Sequence, residues 1–182
     1  MKNIIIIIGI FATTLLNAQD KYFTRSGKIS FFSKTDMENI EAVNNKSSAV
    51  IDIKTGQMEF AVLMKGFEFK KELMMEHFNE NYVESDKYPK SVFKGTIMSM
   101  PVIDLTKDGV YPVKVKGQLT IHGVTNDVIS DATLEVKERK LIGKSTFNVA
   151  LADYKIEVPN LVKDNISKTI KIDVVSPYEK MQ

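Results

Sequence analysis

The sequence predicts an all-β protein: an antiparallel β-barrel of about eight strands with one amphipathic helix over its mouth. Two observations carry this. Strict alternation of apolar and polar residues recurs through most of the 182 residues, the period-2 signature of strands buried on one face. A single long interruption, Phe69 to Gly95, carries helical spacing instead. Long antiparallel strands with one apolar face must bury that face without leaving open edges, and closure into a barrel does both.

The chain opens with Lys2, an apolar run from Ile4 to Leu16, and small Ala18 before Gln19. This is the pattern of a secretory signal peptide over residues 1–18, leaving one domain over residues 19–182. The run is short and broken by Gly9, Thr13 and Thr14, so a retained membrane helix is the weaker reading. Export would place the protein in the periplasm, with secretion as the alternative. There is no cysteine, so a disulfide framework is excluded and apolar burial must hold the domain together. The formal charge is +2, falling to +1 with loss of Lys2. That balance gives no electrostatic reason to expect nucleic acid, and nothing after the leader suggests stable membrane insertion.

Tyr22 to Ser33 holds two β-prone pieces separated by Ser26 and Gly27. Thr35 with Glu38 three residues on forms a capping box, and Met37, Ile40 and Val43 give a short apolar edge, which predicts one or two helical turns ended by Asn44 and Asn45. A hairpin follows. Ala49, Ile51 and Ile53 make one face, Lys54, Thr55 and Gly56 the turn, and Met58, Phe60, Val62 and Met64 the next face.

The interruption comes next. Leu73, Met74, His77, Phe78 and Tyr82 line one helical face, and Pro89 pushes the chain into the strand carrying Phe93, Gly95 and Ile97. After a loop with Pro101, Asp108 and Gly109 comes the longest alternation, Tyr111, Val113, Val115, Gly117, Leu119 and Ile121. His122, Gly123 and Val124 turn the chain into Val128, Ser130, Ala132, Leu134 and Val136. Leu141, Gly143, Ser145, Phe147, Val149 and Leu151 return, and Ile170, Ile172 and Val174 close the set.

Small residues at inward positions (Gly95, Gly117, Ser130, Ala132, Gly143, Ser145) leave volume for a cavity. From pattern alone, a barrel filled by Phe60, Phe93, Phe147 and the helix, or a filled two-sheet sandwich, explains the strands equally well. Met64, Met74, Met75, Met98 and Met100 are assigned to the mouth region, as adaptable lining or as gap-fillers.

Catalytic chemistry finds little footing. His77 and His122 are the only histidines, no metal-ligand spacing occurs, and no G-x-S-x-G elbow is present. Gly143, Lys144 and Ser145 imitate the end of a phosphate loop, but Glu138 stands where its first glycine should be. His77 is the better candidate for a polar contact, since it shares the face turned toward the mouth.

Three segments together resemble the YceI-like family of lipocalin-like, polyisoprenoid-binding bacterial proteins: Glu76-His77-Phe78 followed by Glu84 to Gly95 (ESDKYPKSVFKG), Gly117 to Val128 (GQLTIHGVTNDV), and Ser145 to Pro159 (STFNVALADYKIEVP). Asp127 stands where many members have proline, Phe78 replaces leucine, and the region from Gly27 to Asn45 lacks the histidine often found after the early strand. The resemblance implies an extended lipocalin-like barrel whose lumen holds a long isoprenoid chain, a quinone or polyprenyl lipid, with no other cofactor and no catalytic activity. The expected lining is Phe60, Val62, Leu73, Met74, Phe78, Phe93, Val115, Leu119, Leu134, Phe147 and Val149, with His77 and Tyr82 near the mouth. The expected partner is that apolar ligand, and a homodimer is compatible with the pattern. The rival reading is a non-catalytic interaction module of the cell envelope with a filled barrel.

Overall fold

The computed structural model describes residues 20–181, so the expected leader lies outside the described residues. The strands are β1 (Lys21–Lys34), β2 (Asn39–Asp52), β3 (Gln57–Leu63), β4 (Glu68–Phe69), β5 (Lys90–Ile97), β6 (Gly109–Ile121), β7 (Val124–Lys137), β8 (Lys140–Ala150) and β9 (Thr169–Lys180). All pair antiparallel in the order β1-β9-β8-β7-β6-β5-β3-β2, and β1 pairs β2 to close an eight-strand barrel. The two-residue β4 adds only Phe69 and Glu68 to the edge of β2.

Alternation decides which way each strand faces. In β6, Val113, Val115 and Leu119 are buried while Lys114, Lys116 and Gln118 are exposed, so the period read from sequence is the period of the wall. One end of the barrel is packed shut. Tyr22, Ile51, Ile97, Val113, Leu134, Val136, Leu141 and Tyr178 form a core there, joined by Met100, Ile103 and Leu105 from the loop between β5 and β6. Burial pushes the Tyr178 phenol far above its ordinary range.

At the other end lies α1 (Glu72–His77), the one α-helix among the described residues, which widens into a π turn over Phe78–Tyr82. The Val83 N–H reaches back five residues to the Phe78 carbonyl at 3.0 Å, and Asn79 Nδ2 donates to the Met75 carbonyl at 2.8 Å. Val83 is thereby buried. Helix covers the whole Leu73-to-Tyr82 spacing, but only its first part is α-helical, because the wider turn lets Phe78 and Val83 both reach the core.

The expected helical turns after Thr35 do not form. Thr35 Oγ1 accepts the N–H groups of Glu38 and Met37 at 3.0 and 3.3 Å, as a cap would, but the Thr35 N–H bonds the Glu38 carbonyl and Lys34 pairs with Asn39. These bonds close the tip of the long β1–β2 hairpin. The same side-chain chemistry serves a turn as readily as a helix start.

Two inward glycines do not open space. Gly95 and Gly117 face each other across β5 and β6, and the Phe93 ring lies over both, so that a Cβ at Gly117 would stand 2.6 Å from Phe93 Cζ. The aromatic ring supplies the apolar cover that the glycines lack.

Candidate functional site

Between the packed end and the helix lies a cavity of about 370 Å³, within the size range of small-molecule sites. The interior is therefore not solid, as a filled barrel or sandwich requires. Its walls are the inward residues of successive strands: Met58, Phe60 and Val62 from β3, Phe93 from β5, Val115 and Leu119 from β6, Leu134 from β7, Phe147 and Val149 from β8, and Ile170, Ile172 and Val174 from β9. Phe60 and Phe93 meet edge to face at 6.2 Å.

The cap contributes Met74, His77, Phe78 and Tyr82. An aromatic cluster fixes its position: the Phe78 centroid lies 5.3 Å from that of Phe31, 5.7 Å from Phe67 and 5.2 Å from Phe69. One expected lining residue is misplaced. Leu73 is 60% exposed and absent from the walls. Met74, one step of about 100° further round a two-turn helix, takes the inward direction instead. Met98 is 54% exposed, and Met100 packs against the closed end, so neither belongs to the mouth.

Polar groups at the wall are few and mostly matched. Ser91 Oγ donates to the Thr120 carbonyl at 2.8 Å. At the mouth, Glu38 joins three separate pieces of chain: Oε1 accepts from Lys71 Nζ at 3.1 Å, at the start of α1, and Oε2 accepts from Asn165 Nδ2 at 3.3 Å, in the connection between β8 and β9. The Lys71 ammonium, then the Asn165 amide, hold the Glu38 carboxyl below its ordinary pKa.

His122 has a structural post. It sits at φ +51° beside Gly123 at +72° in the β6–β7 turn, with Nδ1 3.1 Å from the Tyr154 carbonyl and Nε2 2.6 Å from Glu84 Oε2. The Tyr88 ring meets it edge-on at 4.8 Å. These contacts fasten the segment after the π turn to the barrel end. His77 lies at the cavity rim.

Met58, Val113 and the β9 residues obey the same alternation that revealed Phe60 and Val115, so the periodicity extended to them could have found them. The Glu38 and Asn165 contact joins positions 127 residues apart, and no local pattern announces it. Among the described residues, no group of three or more His, Cys, Asp or Glu side chains could hold a metal ion, and no helix is long and apolar enough to cross a membrane.

The comparisons agree with this architecture. The chain is similar in structure to a polyisoprenoid-binding domain from Saccharophagus degradans implicated in plant cell wall breakdown, with a TM-score of 0.74 and 16% identity over 89% of this chain and 99% of that one. It is also similar to BcnA of Burkholderia cenocepacia (TM-score 0.69, 16% identity, 84% of this chain and 96% of that one) and to the YceI protein of Campylobacter jejuni (0.56, 19%, 81% and 90%). A search of the curated proteins gives no match. A YceI-like domain is recognised over residues 21–176, nearly the whole of the barrel, and the chain therefore belongs to the YceI-like family.

Proposed function

We propose that this protein is a periplasmic carrier that shelters one long apolar lipid, an isoprenoid quinone or polyprenyl compound, in the barrel lumen, and that it performs no catalysis. The observation that carries the reading is the cavity of about 370 Å³ walled by alternate apolar side chains. The Saccharophagus neighbour, described as polyisoprenoid-binding, supports the class of ligand. The N-terminal leader pattern supports export.

The driving force is desolvation. Each buried methylene contributes about 0.8 kcal/mol, so a five-carbon isoprene unit contributes up to ~4 kcal/mol before the losses of motion that association always incurs. The few polar atoms at the rim, on Glu38, His77 and Asn165, contact the head group.

Titration of the mature protein with dansyl-labelled farnesol tests the reading. Saturable one-to-one binding is expected, lost in Phe147→Asp, whose carboxylate would stand unpaired in the lumen. Circular dichroism of the variant reports whether it is folded. Absence of saturable binding to the unmodified protein refutes the reading.

A further inference from the structure

The barrel wall is not bonded all the way round. β6 and β7 pair without interruption from Gly109↔Val136 to Ile121↔Val124, and β8 pairs with β9 from Leu141↔Tyr178 to Ala150↔Thr169. Between β7 and β8, by contrast, the ladder runs only from Lys137↔Lys140 to Ala132↔Ser145. Beyond that point the two strands run on without pairing.

Side chains take over at the fork. Ser130 Oγ and Ser145 Oγ lie 2.8 Å apart, and Ser145 Oγ lies 2.8 Å from the Asp131 carbonyl it bonds. At the far end Asn126 Nδ2 donates to the Asp153 carbonyl at 2.7 Å. Past Ala132↔Ser145, Asp127 to Asp131 runs opposite Thr146 to Ala150 with no ladder bond between them. At ~3.3 Å per residue the unbonded stretch is roughly 13 Å long. Two facing strand edges whose N–H and C=O groups do not pair are a discontinuity that a closed barrel otherwise abolishes.

The cavity touches this place. Val128, Ser130, Ser145 and Phe147 are cavity walls along the slit. Thr133 and Lys144, partners at the last bonded rungs, also belong to the walls, and they are the strand residues of outward parity that do so. The other breaks and openings are covered. One end is filled by the Tyr22 and Tyr178 core, beside which the β1–β9 ladder is interrupted between Phe23 and Lys28. The mouth is overhung by the aromatic cluster under α1 and the Glu38 clasp. The β2–β3 ladder, which stops at Ser48↔Ala61, is bridged beyond it by Asn44 Nδ2 donating to the Leu63 carbonyl at 3.0 Å and by β4 on Ala42 and Val43.

The geometry points to the slit between β7 and β8 as a lateral portal through which a flexible hydrocarbon chain passes side-on into the lumen. This rests on the proposed binding of an isoprenoid, and it concerns the route rather than the ligand. A chain admitted sideways need not be threaded end-on past the cap, so the cap can stay fastened during exchange.

The protein has no cysteine, which makes a reversible staple clean. Ile129→Cys with Asn148→Cys places two outward positions, neither a cavity wall, across the slit. Lys94→Cys with Gln118→Cys, an outward pair in the continuous β5–β6 seam, is the control. Stopped-flow uptake of dansyl-labelled farnesol is expected to slow at least tenfold in the oxidised slit variant, to recover with reductant, and to stay within twofold in the oxidised control. Ser145→Ala, which removes two bonds of the fork, is expected to raise uptake and release rates severalfold. Rates indifferent to Ser145→Ala, or an oxidised slit staple that leaves uptake unchanged, overturn the portal. Failure of the probe to bind the unmodified protein at equilibrium instead overturns the carrier reading itself.

Discussion

Gly117→Ala should be among the most destabilising single-methyl additions available to this barrel. A Cβ there would stand 2.6 Å from Gly95 Cα and from Phe93 Cζ, and closer still to the Lys94 carbonyl oxygen. Two of those three atoms are backbone, held by the β5–β6 ladder that pairs Gly95 with Gly117, so turning the Phe93 ring aside cannot relieve the clash. Overpacking of this kind costs about 1–3 kcal/mol, and a backbone collision belongs at the upper end. For a domain of this size each kcal/mol lowers Tm by about 2–4 °C, so a cost of about 3 kcal/mol gives a fall of roughly 6–12 °C. Gly109→Ala is the matched control, because its Cβ would meet Tyr111 at an ordinary 3.4 Å and should move the melt by no more than ~2 °C. Thermal melts by circular dichroism read both. A Gly117→Ala melt within a degree of the parent would refute the claim that Phe93 and the two glycines form one packed unit.

Three further outcomes follow from the site. Ala132→Phe adds six ring carbons to the cavity wall and displaces about as many ligand carbons; at ~0.8 kcal/mol each the loss approaches 5 kcal/mol, so probe affinity should fall at least a hundredfold by titration, and a change under threefold would count against the lumen as the binding site. Leu73→Ser should leave affinity within twofold, whereas Met74→Ser, which removes a side chain worth about 1.5–3 kcal/mol when buried, should weaken it at least tenfold; equal effects would return Leu73 to the lining. The Glu38 clasp is pH-dependent in a defined direction. Because Lys71 and Asn165 depress the Glu38 pKa, its contribution is complete above the ordinary carboxylate range near ~4.3 and is lost as pH falls through the lower folded value. Hydrogen exchange of residues 160–168 should therefore be faster in Glu38→Gln than in the parent at pH 7, and the two should converge as pH falls below the ordinary carboxylate range and through the lowered folded pKa; a difference that persists in acid would contradict the assignment.

Much of the barrel was legible because a wall residue and its neighbour differ in a way the sequence displays. Val113, Val115 and Leu119 against Lys114, Lys116 and Gln118 give the face of β6 directly. β1 and β2 hide theirs. Asn44 and Ser47 are buried polar residues in β2, and β1 slips register around Gly27, so alternation fades and the Thr35 capping chemistry looks like a helix start. Leu73 points outward although it shares the apolar stripe, because a stripe fixes the period of a helix but not its rotation, and the π turn that sets the rotation depends on Val83 reaching the core. Ser130 and Ser145 read as small residues making room; their bond to each other at the fork is a tertiary fact with no local mark. Glu38 and Asn165 meet only because the hairpin tip and the last connection converge over the same mouth.

Native mass spectrometry of the protein purified from the cells that make it, with organic extraction of whatever accompanies it, tests the central claim most directly. A mass above that of the bare polypeptide by one isoprenoid lipid, released by solvent and absent from the Ala132→Phe variant, is the result the account predicts. The bare mass alone, in a protein that also fails to take up added quinone or polyprenol, would contradict it.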